Sequence, residues 1–162
     1  MRQIDFNDEV AIAYEIEQFI NIYAYSDVEH ALVVTPKGNV YNLRGNKEAV
    51  NPGIIIREEL IGSIVVHNHP TEWEDSFSRQ DFITFFEYGL LREDVVSGKL
   101  HNIMRYNGAL ITPDKARKLY NEAFHEVRQA AMRAQTPILL EQLETMRQLA
   151  KTMKGLIFNE NT

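Results

Sequence analysis

The spacing of apolar positions changes along this chain, and each change marks an element. From residue 8 to 24 the spacing is helical, and Ile12, Ile16, Phe19, Ile20 and Tyr23 fall on one face. Asn7 stands where an N-cap belongs, and Asp8 and Glu9 suit the positive end of the helix dipole. This face is expected to pack on a sheet. Ser26-Asp27 breaks the period, a strand over residues 30–35 follows, and Pro36-Lys37-Gly38-Asn39 turns it into a second strand, Val40-Tyr41-Asn42-Leu43. Arg44 to Gly53 is a loop, and Ile54 to Leu60 is either a short strand or a brief helix, between which periodicity does not decide. The apolar run from Ile61 to Val66 is too short for a core helix and is predicted to be a buried strand, stopped by Pro70.

Thr71 to Phe77 is polar and acidic, which predicts an exposed loop. Ser78-Arg79-Gln80-Asp81 then opens an apolar run read as a helix to about Leu91. Lys99–Tyr106 and Ala109–Thr112 read as two strands joined at Asn107-Gly108, a favoured two-residue turn, and Pro113-Asp114 ends the sheet region. Two helical patterns finish the chain. Ala116, Tyr120, Ala123, Val127, Ala130 and Ala134 form one seam; Leu139, Leu143, Met146, Ala150, Met153 and Ile157 form the other, after a break at Thr136-Pro137. These helices fold as a hairpin on themselves or on the sheet; a homodimer seam or a docking site for a partner protein is the other outcome. The expected fold class is α/β, a single mixed sheet flanked by helices, with the sheet domain in residues 1–113 and a helical extension in 114–162.

Composition adds limits. A chain of 162 residues, 44% hydrophobic and 25% charged, has the size and balance of one ordinary domain. No stretch resembles a signal peptide, a membrane span or a lipidation motif, so a cytoplasmic location is expected. The absence of cysteine excludes disulfides, cysteine-type zinc fingers and cysteine nucleophiles. The net charge of -6 is uneven, with 9 Lys/Arg against 17 Asp/Glu up to residue 113 and 8 against 6 beyond it. An acidic sheet domain argues against a nucleic-acid partner, whose phosphates need a basic footprint.

Candidate chemistry gathers at His67-Asn68-His69-Pro70. Alternation along an extended segment sends both imidazoles to one side and Asn68 to the other. A helix opening at Ser78 would bring the Asp81 carboxylate back toward them. Two His and one Asp with a free fourth position form a catalytic rather than a structural zinc set, since structural sites are closed by four ligands. Such a site also needs a carboxylate to accept a proton from water. Glu29, just before the apolar strand, is the candidate, with Glu58 and Glu59 as rivals nearer in sequence. Ser78-x-x-Asp81 is equally a helix capping box, compatible with ligation if one carboxylate oxygen stays free for zinc. His30, His101 and His125 have no partner at ligand spacing and read as structural or surface residues. Trp73 is either a substrate-contacting aromatic or a ring tucked against the domain edge. There is no H-E-x-x-H, G-x-x-x-x-G-K or G-x-S-x-G, and no P-C-x-x-C of the zinc deaminases.

Glu29, His67-Asn68-His69-Pro70 and Ser78-Arg79-Gln80-Asp81 together resemble the Glu, H-x-H-P, S-x-x-D signature of the JAMM (MPN+/JAB) zinc metalloproteases. With Phe77-Ser78 and Glu29-His30-Ala31-Leu32-Val33-Val34, the likeness is strongest to the bacterial and phage RadC-like JAB branch, over residues 27 to 112. The resemblance implies a JAB/MPN, cytidine-deaminase-like fold and one Zn²⁺ held by His67, His69 and Asp81. It implies Glu29 as general base, Ser78 as donor to the oxyanion, and a protein or peptide substrate cut at a peptide or isopeptide bond. The competing class is a non-hydrolytic JAB scaffold, or a RadC-like protein binding a protein or nucleic-acid partner.

Overall fold

A computed structural model of the chain describes residues 2–161. In chain order the elements are strand Arg2–Gln3 (β1), helix Glu9–Tyr23 (α1), strands His30–Val34 (β2) and Asn39–Arg44 (β3), and helix Arg57–Leu60 (α2). Strand Ile64–Asn68 (β4), helix Arg79–Glu87 (α3), and strands Arg92–Ser97 (β5) and Leu100–Tyr106 (β6) follow. Helices Pro113–Ala134 (α4) and Glu141–Thr152 (α5) and strand Leu156–Glu160 (β7) complete it. The strands form one seven-stranded mixed sheet in the order β1-β3-β2-β4-β5-β6-β7. Its one parallel pair among the described residues is β4–β5, with α3 in the connection between the two strands. No helix is long and apolar enough to cross a membrane.

Alternation along the strands divides the core between two faces. Leu32, Val34, Ile64, Val66 and Val96 meet Ile12, Ile16 and Phe19 of α1, which is the helix face the pattern predicts. Val33, Val65, Val95 and Met104 meet α3, α4 and α5 through Phe82, Phe85, Tyr120, Met146 and Leu149. By the same alternation His67 lies on the face of Val65, the three-helix side.

Several boundaries differ from the pattern, each for a local reason. Asp8 rather than Asn7 caps α1, its carboxylate accepting from the amides of Val10 and Ala11 at 3.0 and 3.1 Å. Ile54 ends a 3-10 turn that begins at Pro52, and Arg57–Leu60 forms the short α2, so no strand forms between Ile54 and Leu60. The hairpin partner of β6 is β5, turned at Gly98 with φ +58, not a strand at Ala109–Thr112. Thr112 instead caps α4 by accepting from the Lys115 amide, with Pro113 as the first helical residue. Pro113-Asp114 therefore does not end the sheet. Leu156–Glu160 returns to it, pairing antiparallel with β6, so Ile157 sits in a strand and not on a helical seam. The two helices do pack on each other and on the sheet, but the chain buries only the first half of the α4 seam, Ala116, Tyr120 and Ala123. In α5 Leu149 is buried beside Leu143 and Met146.

On the α1 face of β5, Asp94 is fully buried. Arg92 donates to it through Nε and Nη2 at 2.6 and 2.8 Å, and His101 Nε2 lies 2.7 Å from Oδ2. Burial opposes the charge, but Arg92 and His101 outweigh it and hold the carboxyl below its usual range. A carboxylate depressed in the folded state stabilises above its unfolded value, near 4, and that contribution disappears as pH falls through the lower folded value. Asp94→Ala leaves Arg92 without its counter-charge and is expected to cost about 3 kcal/mol at pH 7. A urea titration reads this as a lower midpoint, and the gap to wild type should shrink below about pH 4.

Candidate metal centre

Strand β4 delivers the two histidines. Its ladder with β5 runs on past its end, where the His69 amide donates to Val96 O at 2.9 Å and Ser97 Oγ donates to His69 O at 2.9 Å. Both rings are therefore held on a rigid strand end. Asp81 reaches them from the first turn of α3, whose start is fixed by the capping box. Ser78 Oγ accepts from the Asp81 amide at 3.1 Å, and the Ser78 amide donates to Asp81 Oδ2 at 2.9 Å. From α4, the buried Tyr120 hydroxyl donates to Phe77 O at 2.9 Å, anchoring the chain just ahead of the cap.

These elements bring three donor atoms together. His67 Nε2 and His69 Nε2 lie 3.2 Å apart, and Asp81 Oδ2 is 3.2 Å from the first and 3.1 Å from the second. Bonds of about 2.0–2.1 Å to a tetrahedral zinc ion put neighbouring ligand atoms roughly 3.3 Å apart, so this donor set fits a metal ion. Among the described residues no fourth His, Cys, Asp or Glu joins the group. The oxygen that closes the cap and the oxygen that faces the histidines are one atom, where the capping box predicts two. Oδ2 accepts from the Ser78 amide and also faces both imidazoles, and since a carboxylate oxygen has two lone pairs, one remains available to an ion.

Charge follows geometry. Burial works against the Asp81 carboxylate, yet the two histidines beside it outweigh that and hold it well below the usual range. For His69, burial is likewise outweighed, by Asp81 and then Glu29, which push the imidazole up. The other ring nitrogen of His69, Nδ1, faces Asp75 O at 3.3 Å. The Asp75 carboxylate meanwhile accepts from the amides of Gln142 and Leu143 at 3.1 and 2.9 Å, capping α5, which has no side-chain cap of its own. One residue of the acidic loop thus ties a candidate ligand to the start of the last helix.

Glu29 comes to the same place. The β2–β4 register pairs Ala31 with His67 antiparallel, and continued by two residues it sets Glu29 level with His69 on the same face. Asn68, which points to the opposite face, clamps this turn of chain: its Oδ1 accepts from the His30 amide at 2.6 Å and its Nδ2 donates to Val28 O at 2.9 Å. Alternation places Asn68 on that face but says nothing of the clamp, whose partners lie some forty residues away. Glu29 is 8% exposed; burial raises its carboxyl above the ordinary range, against the pull of His67 and His69. Of its rivals, Glu59 is bonded to Asn39 and Tyr41, and Glu58 is exposed on α2; neither lines the site.

The triad, Glu29 and Ser78 line one open cleft of about 730 Å³. One wall is the loop Glu48–Asn51, another the acidic turn with Trp73, and Leu139 and Leu140 of the α4–α5 connection close a third side. Trp73 is 52% exposed at this rim, which puts its ring at the cleft and not tucked against the domain. His30 stacks on Tyr23 and His101 binds Asp94, so both have structural partners. The residue that sequence patterning passes over is Glu93, which also lines the cleft. Comparison of the chain with protein-family models, with curated proteins and with solved structures finds no match in any of the three.

Proposed function

We propose that this chain is a zinc-dependent hydrolase of peptide or isopeptide bonds, of the JAMM (MPN+/JAB) type that its motifs resemble. One observation carries the reading: three donor atoms within 3.2 Å of one another share a cleft with a buried glutamate that is not one of them. A zinc ion held by His67, His69 and Asp81 would supply the acidification that makes water a nucleophile near neutral pH. Glu29 takes the proton from the attacking water and returns it to the departing amine; its burial keeps it basic enough for both. Ser78 donates its hydroxyl hydrogen to the carbonyl oxygen as negative charge grows there, its oxygen being oriented by the Asp81 amide. The cleft walls carry seven Asp/Glu and no Lys or Arg. That field repels phosphate-rich polymers and favours a neutral or cationic polypeptide.

The test is incubation with a peptide library, a lysine isopeptide and a linear ubiquitin-like fusion, with and without chelator. Cleavage that chelator stops and added zinc restores is the expected result. Cleavage indifferent to chelator, or none of the three substrates cut by zinc-loaded protein, overturns the proposal.

A further inference from the structure

Glu93 stands opposite Val65 in the parallel β4–β5 register, two residues before Val95, the partner of His67. Its side chain therefore rises on the same face as His67, one strand away. It is 3% exposed, with Oε1 3.7 Å from His67 Nδ1, the ring nitrogen that is not part of the donor triad. Its other oxygen, Oε2, has no hydrogen-bond partner. A buried carboxylate without a cation or a full set of donors costs folding free energy, and buried polar atoms are otherwise nearly always satisfied.

Metal-ligating histidines characteristically give their second ring N–H to a carboxylate or a carbonyl, which fixes the tautomer and the ring plane. His69 has the Asp75 carbonyl in that place. For His67 the Glu93 carboxylate is the group facing Nδ1, and a closure of about 0.9 Å would bring it to charge-assisted hydrogen-bond length.

We propose that Glu93 is a positioning residue for His67: it accepts the Nδ1–H, directs the Nε2 lone pair to the metal, and adds negative charge beside the dication. The role rests on the reading of His67, His69 and Asp81 as ligands. It predicts opposite effects on binding and on folding. Glu93→Gln and Glu93→Met should each bind zinc 10–100-fold more weakly than wild type in a chelator-competition titration. Both should shift the visible absorption of the cobalt-substituted protein. Metal-free Glu93→Met should melt at or above the wild-type temperature, since it removes the unsatisfied buried polar atom, and metal-free Glu93→Gln, which trades the carboxylate for an amide of the same shape, should melt no lower than wild type. Zinc affinity within twofold of wild type in both variants overturns the role, and so does a lower melting temperature of both metal-free variants, which would make Glu93 a residue of the fold. A wild-type chain that takes up no zinc overturns the ligand set itself, a distinguishable result.

Discussion

Glu29→Gln should lower turnover by about 10²–10⁴-fold, the contribution of a positioned acid–base group, while the chain keeps its metal. Glutamine has the size and shape of glutamate, so it can fill the same buried place beside the histidines. It cannot take a proton from water. Glu29 stands outside the group of three donors, so its loss should leave zinc content unchanged by elemental analysis. The pairing of full occupancy with absent turnover separates a base from a ligand. A Gln variant that cuts as fast as the parent places the base elsewhere.

The second large effect is on the metal itself. His69→Ala or Asp81→Ala removes one of three donors from a site with no fourth protein ligand among the described residues, and zinc should fall from about one ion per chain to near none. Asp81 needs a further control, because its carboxylate also closes the capping box of α3. Loss of a cap costs about 1 kcal/mol, so Asp81→Ala should also melt lower. Asp81→Asn keeps an oxygen for the Ser78 amide but lacks the charge. It should restore much of the melting temperature without restoring occupancy. Unchanged zinc content in the His69 and Asp81 variants would remove the ligand set.

The histidine pair and the helix start were legible because both are local. Alternation along five residues puts His67 and His69 on one side, and a capping box four residues long orients Ser78 and Asp81. The helix α1 and the β2–β3 hairpin are likewise set by short-range periodicity and turn residues. The failures share a different cause. Strand β5 carries Arg92, Glu93 and Asp94, which look like loop residues until their partners are known, and those partners are on β6 and at the end of β4. Strand β7 continues a helical spacing of apolar residues, and only the exposed edge of β6 makes it a strand.

By itself the sequence determined which side chains could hold a metal ion, since donor chemistry and spacing along one strand and one helical turn depend on covalent geometry and local hydrogen bonds. Tertiary structure alone decided which carboxylate stands beside them. Along the chain Glu29 is the candidate and Glu58 and Glu59 are rivals nearer in sequence, and the antiparallel register of β2 on β4, clamped by Asn68, brings Glu29 to His69 and leaves the rivals on α2. Register is fixed by burying one whole face of each strand, a condition set by the sheet and both helical layers together.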